Sequence, residues 1–97
     1  MVTYIALSTF TDQGIRTVKE TTKRADAVRE AAKKFGATIT HLYWTLGQYD
    51  VVSIMEAPND EAATAFALAI GSAGSVRMQS MRAFSKDEMN GILARLA

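Results

Sequence analysis

The apolar residues of this chain alternate between strand-like and helix-like spacing, and the order of these segments leaves few folds open. Runs rich in β-branched and aromatic residues, typical of strands, lie at 2–9, 38–46, 50–57 and 75–84. Stretches with helical spacing separate the first run from the second and the third from the fourth. The order β-α-β-β-α-β predicts an α+β, ferredoxin-like fold, with a four-stranded antiparallel sheet and two helices on one face. A third helical stretch follows the last run, so we also expect a C-terminal helix.

Capping residues mark where the expected helices begin and end. The first helix is expected over 15–35, with a kink or restart at the β-branched pair Thr21-Thr22. Gly36 ends it as the residue after the cap, a position that favours glycine. Asn59 is expected to cap the second helix, and the segment 85–88 forms a capping box for the third.

Length and charge restrict the class of protein. With 97 residues the chain has room for one domain, which we expect to span 1–97. Eleven basic and ten acidic residues give a net charge of +1, which argues against nucleic acid or a membrane surface as a partner. The chain has no Cys and a single His, so neither a metal site nor a cofactor is expected.

No targeting or membrane-spanning segment is predicted. The apolar start of the chain has no basic residue before it and is interrupted by Thr and Ser, so a strand explains it better than a signal peptide. The longest uncharged stretch, 62–76, is shorter than a membrane span. We therefore expect a cytoplasmic location.

The second and third strands predict a sheet that is apolar on both faces. A tight hairpin, with Gly47 in a type II′ turn, pairs His41 with Ile54 and Ile39 with Glu56. Neither face is then as polar as a face in contact with water, whereas two helices cover only one. The second face needs another cover.

The second helix leads to the same expectation. Its stretch 62–70 carries no charge, and a helix that is apolar all round is normally buried on several sides. Exposing Phe66, Leu68 and Ile70 would forgo about 1.5–3 kcal/mol for each side chain. We therefore predict a homo-oligomer. The alternative is an Ala-rich side that tolerates water.

One group of polar side chains is a candidate ligand site. The predicted pairing places four of them on one face of the sheet, and one of the two phases of strand four adds a fifth. They are His41, Tyr43, Asp50, Glu56 and Arg77. An imidazole, a phenol, carboxylates and a guanidinium over an apolar floor are typical of a small-ligand pocket. The alternative is that these charges pair across a subunit interface.

The segment between the second and third strands carries a resemblance to a known family. Gly47, Tyr49 and Asp50 match the signature of the GYD family of small bacterial and archaeal proteins, which this chain resembles. The similarity extends to the segments 10–14, 56–58 and 82–84. One departure is Asn59, where an Asp often follows the Pro in such proteins. The resemblance implies a ferredoxin-like fold of the dimeric α/β-barrel type, and it implies no reaction and no catalytic residue.

The signature also has a physical interpretation. Gly47 supplies a positive φ, Tyr49 covers the end of the hairpin, and Asp50 accepts hydrogen bonds from Thr45 or the turn amides. More distantly, the chain is similar to the effector-binding domains of Lrp/AsnC regulators, which bind amino acids between subunits. It lacks the DNA-binding domain of those regulators.

Three functions remain open from the sequence. The first is an oligomeric module that binds a small metabolite in or between subunits without catalysis. The second is a cofactor-free enzyme, like the monooxygenases and isomerases built on dimeric α/β barrels, with His41, Tyr43, Asp50 or Glu56 moving protons. The third is a structural assembly protein without a ligand. A single His and the wide spacing of Asp50 and Glu56 give little support to catalysis.

Overall fold

The computed structural model describes residues 1–96 and contains one four-stranded sheet. Its strands are β1 (Val2–Phe10), β2 (Thr38–Trp44), β3 (Val51–Ala57) and β4 (Val76–Ala83). They lie in the order β2-β3-β1-β4, and every neighbouring pair is antiparallel. β1 is therefore a central strand, and β2 and β4 are the two edges.

Four α-helices connect or follow the strands. They are α1 (Asp12–Arg16), α2 (Thr21–Lys33), α3 (Asp60–Ser72) and α4 (Lys86–Leu93), with short 3₁₀ turns at Val18–Glu20 and Ala94–Leu96. α2 and α3 pack side by side on one face of the sheet. The α+β, ferredoxin-like fold predicted from the sequence is thus confirmed. Within residues 1–96, no helix has the length and apolar character needed to cross a membrane.

The core lies between the sheet and these two helices. Tyr4 and Met55 contribute from the sheet, Ala32 from α2 and Phe66 from α3. The rings of Phe35 and Phe66 pack at a tilt, with centroids 5.8 Å apart. Burial of a side chain the size of Phe66 stabilises the fold by about 1.5–3 kcal/mol.

The first helical segment is divided in two. It begins at Asp12 rather than at Ile15, is interrupted at Thr17, and restarts at Thr21 as predicted. Because of this break, Ile15 and Val18 do not continue the apolar stripe of α2 and remain exposed. The end of α2 agrees with the sequence, since Gly36 has a φ of +71°.

A close backbone contact holds α1 against the loop before β4. A Cβ on Gly14 would lie 1.9 Å from the carbonyl oxygen of Ser75, so only glycine fits there. The backbone amide of Thr11 donates to the same oxygen at 3.1 Å, and the Thr11 hydroxyl donates to the carbonyl of Gly74. α1 is therefore anchored to a loop that lies far from it in the sequence.

The pairing of β2 with β3 differs from the prediction at one point. His41 lies opposite Ile54 as expected, but Ile39 lies opposite Met55 rather than Glu56. A β-bulge inserts Thr40 as an extra residue and shifts the register. The Thr40 hydroxyl donates to the carbonyl of Ile54 at 3.2 Å.

The connection between β2 and β3 is longer than the tight hairpin predicted. The strands end at Trp44 and Val51, and the loop is closed by a 2.8 Å hydrogen bond from the Thr45 amide to the Asp50 carbonyl. Gly47 does adopt a positive φ, of +148°. The prediction of a two-residue turn was therefore wrong. The Thr45 hydroxyl also bonds across the loop, to the carbonyl oxygen of residue 49.

The C-terminal helix has the predicted capping box. The Ser85 amide donates to the Glu88 carboxylate at 2.9 Å, and the Glu88 amide donates to the Ser85 hydroxyl at 3.1 Å. The apolar residues of α4 and the turn after it nevertheless stay exposed. They are Met89, Ile92, Leu93 and Leu96.

Candidate functional site

The sheet face opposite α2 and α3, called the open face below, is apolar along its centre. Directly opposed residues point to the same side of a sheet, so the observed register defines this face. Its apolar residues include Ile5, Leu7, Val52, Ile54 and Met81. All of them remain partly accessible to solvent. The prediction that the helices leave a second apolar face uncovered is confirmed for the single chain.

Two of the predicted site residues come together on the open face. His41 and Tyr43 lie on the edge strand β2, with near-parallel rings whose centroids are 6.4 Å apart. Nδ1 of His41 lies 3.1 Å from the Thr40 hydroxyl. Tyr43 is 59% exposed, so this pair forms a surface patch rather than an enclosed site.

The other predicted site residues are spread along and across the sheet, although Glu56 is a diagonal neighbour of His41, about 7–8 Å away. Asp50 precedes β3 and Glu56 lies near its other end, a separation of about 20 Å at 3.3 Å per residue. Arg77 does point to the open face, but β4 lies three strand spacings from β2, or about 14 Å. The five residues therefore do not converge in the single chain, and their role in ligand binding stays a prediction.

The signature residues tie the β2–β3 loop to the rest of the sheet. The Asp50 carboxylate accepts a 2.8 Å hydrogen bond from the Phe10 amide at the end of β1, rather than from Thr45. The Tyr49 hydroxyl donates to the Gln79 side chain at 3.3 Å, so the Tyr49 side chain spans β1 to reach β4. These contacts give both signature residues a structural role.

A second candidate site lies on the opposite face of the sheet. A pocket of about 70 Å³, called the helix-side pocket below, opens between the sheet and helices α2 and α3. All four strands and both helices contribute to its wall. Its apolar lining includes Ala6, Phe10, Val28, Ile39, Leu42, Val51, Met55, Phe66, Ile70, Val76 and Met78.

Two serines are the polar groups in the floor of this pocket. Ser8 on β1 and Ser53 on β3 are only 6% and 9% exposed. No hydrogen bond among residues 1–96 engages either hydroxyl. Both serines line the pocket, and both hydroxyls keep some accessible surface, because no buried side-chain polar atom of residues 1–96 lacks a hydrogen-bond partner. Because Ser53 lies opposite Ala6, the two serines are diagonal neighbours, about 7–8 Å apart.

The mouth of the pocket is formed by the start of α2 and the end of β2. Trp44 donates from its indole Nε1 to the Thr21 hydroxyl at 3.0 Å. Arg24 donates to the carbonyls of Thr17 at 2.8 Å and Gly14 at 3.2 Å. Among the pocket-lining residues within 1–96, Arg24 is the one ionisable side chain.

Sequence reasoning missed this pocket. Its residues are scattered over six elements, and no motif joins them. One signal was available, because Ser8 shares the strand phase of Tyr4 and Ala6, which are core positions. A polar residue in a core phase predicts either a buried partner or a site.

A second polar contact fixes the start of α3 to the sheet. The Tyr4 hydroxyl donates to the Asp60 carboxylate at 2.5 Å. Burial of the ring, followed by this hydrogen bond and the negative charge of Asp60, raises the pKa of Tyr4 to about 12. Tyr4 therefore stays protonated and acts as a donor, not as a base.

Within residues 1–96, no group of three or more His, Cys, Asp or Glu side chains is placed to hold a metal ion. Among the pocket-lining residues of the described range, the one ionisable side chain is a cation, so this part of the wall offers no ligand set of the kind that metal ions prefer.

The fold and the pocket define a small α+β protein of ferredoxin-like fold with an apolar cavity between its sheet and its helices. The family is shown by a match to the GYD domain over residues 4–93, and this chain belongs to the GYD domain family.

Relatives and solved structures agree with this assignment. The chain is 34% identical over 84 residues to the "glutamine synthetase and cystathionine beta-lyase binding protein" of Thermus thermophilus, covering 86% of this chain and 88% of that protein. A crystal structure of FFRP-DM1 superposes with a TM-score of 0.61 at 21% identity, covering 87% of this chain and 100% of that chain. The structure of TTHA0845 from Thermus thermophilus gives a TM-score of 0.57 at 22% identity, covering 88% and 95%. At these identities the two structures support the fold alone.

Proposed function

We propose that this chain is a small, non-catalytic binding protein that holds a small molecule in the helix-side pocket. One observation carries the proposal: two nearly buried serine hydroxyls line an apolar pocket and have no hydrogen-bond partner within residues 1–96. These hydroxyls keep some accessible surface and are free to bond to a ligand, and a hydrogen bond formed in this way contributes about 0.5–1.5 kcal/mol.

The chemistry of the pocket favours binding over catalysis. A serine acts as a nucleophile when a base lies within hydrogen-bond reach of its hydroxyl. Neither Ser8 nor Ser53 has such a bond to a His or a carboxylate within residues 1–96. The alternative of an enzyme site on the open face has a separate test. If the double variant His41→Ala, Asp50→Asn still turns over a candidate substrate at the normal rate, those residues do not transfer the proton.

The binding function can be tested with a pocket-filling variant and a matched control. Ser53→Leu places a larger side chain in the pocket, whereas Ser80→Leu makes the same change on β4, at an exposed position on the same face outside the pocket. Each purified protein is incubated with small molecules extracted from its own cells, separated by gel filtration, and analysed for retained compounds by mass spectrometry.

We expect the wild-type chain and Ser80→Leu to retain the same compound and Ser53→Leu to lose it. Equal retention by all three proteins, or no retained compound with the wild-type chain, contradicts the proposal. Thermal unfolding of each variant shows whether loss of the compound reflects loss of the fold.

We also propose that the open face is covered by a second copy of this chain. Its apolar centre supports this, because contiguous exposed apolar surface on a small protein commonly marks an interface. In the single chain, α3 buries Ala63 and Phe66, whereas Leu68 is 69% exposed. That helix can therefore be a second contact between copies. The cytoplasmic location expected from the sequence stays a prediction.

A second candidate function is the binding of another protein. The Thermus thermophilus relative is named for binding glutamine synthetase and cystathionine beta-lyase, and α4 here exposes an apolar stripe. We propose that this stripe contacts such an enzyme. In a binding assay with purified glutamine synthetase, Leu93→Asp should weaken binding while Asn90→Asp, at an exposed position of α4 outside the stripe, should not. Absence of binding by the wild-type chain contradicts this second function.

A further inference from the structure

Arg24, which lines the helix-side pocket, carries a positive charge without an ion pair within residues 1–96. Arg24 makes three hydrogen bonds, all to backbone carbonyls or a hydroxyl of residues 14 and 17. Within residues 1–96 no carboxylate forms an ion pair with it, since the ion pairs found there join Lys23 to Glu20 and Lys33 to Glu30. A guanidinium has five N–H groups, so Arg24 keeps donors for a further acceptor.

The start of α2 adds to this positive potential. The helix begins at Thr21 without a side-chain cap and follows directly on the 3₁₀ turn Val18–Glu20, whose Val18 carbonyl accepts the Thr21 amide; both Thr21 and Arg24 line the pocket. The N-terminal end of a helix carries partial positive charge, which favours an anion. The pocket wall holds no acidic side chain within residues 1–96 that would oppose one.

The size and lining of the pocket restrict the rest of the ligand. A volume of about 70 Å³ holds on the order of five non-hydrogen atoms. Apart from the two serine hydroxyls, the walls beyond the mouth are aliphatic or aromatic. The inner part of the ligand is therefore short and apolar.

We propose that the ligand is a small monocarboxylate with a short, branched or unbranched apolar body. Its carboxylate lies at Arg24 and its body extends toward Ser8 and Ser53. A carboxylate gains charge-assisted hydrogen bonds from a guanidinium, and the body displaces water from an apolar wall. This inference rests on the proposed binding function and names the class of ligand for the same pocket.

The test compares an acid with its uncharged isostere. 3-Methylbutanoate and 3-methylbutanamide have the same shape and differ in charge at pH 7. Each is titrated into ¹⁵N-labelled protein, and the shifts of the backbone amides around residues 8, 24 and 53 give the affinity. The proteins are the wild-type chain, Arg24→Gln, Arg24→Lys, Ser53→Leu and, as a control on the exposed side of α2, Arg29→Gln.

We expect the wild-type chain to bind the acid about tenfold more tightly than the amide, a difference of about 1.4 kcal/mol. Arg24→Gln should remove this preference, Arg24→Lys should keep part of it because the charge remains, and Arg29→Gln should keep all of it. Ser53→Leu should bind neither compound.

The contradicting results separate the two proposals. Equal affinity for acid and amide in the wild-type chain, or no shift with either compound, overturns the monocarboxylate class and leaves the binding function to the extract experiment. Unchanged binding by Ser53→Leu shows that the probes bind elsewhere, which overturns the class proposal and argues against the pocket itself. The acid–amide comparison uses the wild-type chain, so it stands even where Arg24→Gln fails to fold.

Discussion

At the scale of single residues, several contacts around the pocket depend on one side-chain group, or on the missing Cβ of a glycine. Gly14 lets α1 approach the Ser75 carbonyl, and Tyr4 bridges β1 to the start of α3 through Asp60. Asp50 accepts the amide of Phe10 at the end of β1. These residues connect segments that are distant in the sequence, so each change has effects beyond its own element.

Gly14→Ala should destabilise the chain by about 2–3 kcal/mol, because the new Cβ forces the backbone of residue 75 to move. Gly91→Ala is the matched control, since a Cβ at Gly91 meets nothing within 4 Å and alanine favours the helix by about 0.5–1 kcal/mol. Denaturant unfolding monitored by circular dichroism measures both. A small effect of Gly14→Ala contradicts the close contact.

Tyr4→Phe should lower the free energy of unfolding by about 1 kcal/mol at pH 7, because it removes the hydrogen bond to Asp60. The pKa of Tyr4 is raised from 10.0 to about 12 in the folded chain, so the fold favours the protonated phenol. This contribution is fully present below pH 10 and is lost as the pH rises from 10 through 12.

The pH dependence of Tyr4 is measured as urea stability between pH 7 and 11. Stability of the wild-type chain should fall above pH 10, and Tyr4→Phe should reduce that slope. Tyr43→Phe is the control, because Tyr43 is exposed on the surface and should leave the slope unchanged. Identical alkaline slopes for all three proteins contradict the role of Tyr4.

At the scale of elements, α4 differs from the other helices because its apolar side is exposed and its capping box is prominent. The backbone amide of Ser85, and then its hydroxyl, lower the pKa of Glu88 below its ordinary value of 4.5. The stabilisation by ionised Glu88 is therefore present above pH 4.5 and is lost as the pH falls through the lowered pKa.

We expect the helicity of residues 86–93 to decrease below pH 4.5 while the sheet remains folded. The Cα chemical shifts of α4, followed by NMR from pH 7 to pH 3, report this directly. Glu88→Gln keeps a capping side chain without a charge, so its shifts should not change at this step. Loss of α4 and the sheet at the same pH in both proteins contradicts a local transition.

The sequence predicts the helices and strands better than it predicts the bulge and the loop that connect them. The strand and helix order, the Thr21 restart and the Ser85–Glu88 box each follow from local spacing or capping, which neighbours in the sequence determine. The bulge at Thr40 and the six-residue loop follow from hydrogen bonds made after the strands pair. Such bonds leave no pattern in the residues before folding.

At the scale of the whole molecule, we expect the chain to self-associate through the open face. Ile54→Glu places a charge at its apolar centre, whereas Ile15→Glu makes the same kind of change at an exposed position of α1, outside both proposed contacts. Light scattering at micromolar concentration should give at least twice the chain mass of 10.5 kDa for the wild-type chain. Ile54→Glu should shift it toward 10.5 kDa, and Ile15→Glu should not. A wild-type mass near 10.5 kDa contradicts the prediction.

The packing of the whole molecule also decides which residues form a site. The sequence predicted an apolar sheet with polar residues on one face, and the faces of His41, Tyr43, Glu56 and Arg77 agree with it. The strand order places β1 between β3 and β4, which separates Arg77 from the other three residues. The helix-side pocket exists because α2 and α3 leave a gap over Ser8 and Ser53, a property of packing that strand spacing does not encode.

Native mass spectrometry of the protein purified from its own cells tests the central claim most directly, because it reports assembly and bound ligand together. We expect the wild-type chain to carry the additional mass of a small ligand. Ser80→Leu should carry the same additional mass, and Ser53→Leu should lack it. The bare mass of the polypeptide in all three proteins, or an additional mass that survives Ser53→Leu, would contradict binding in the helix-side pocket.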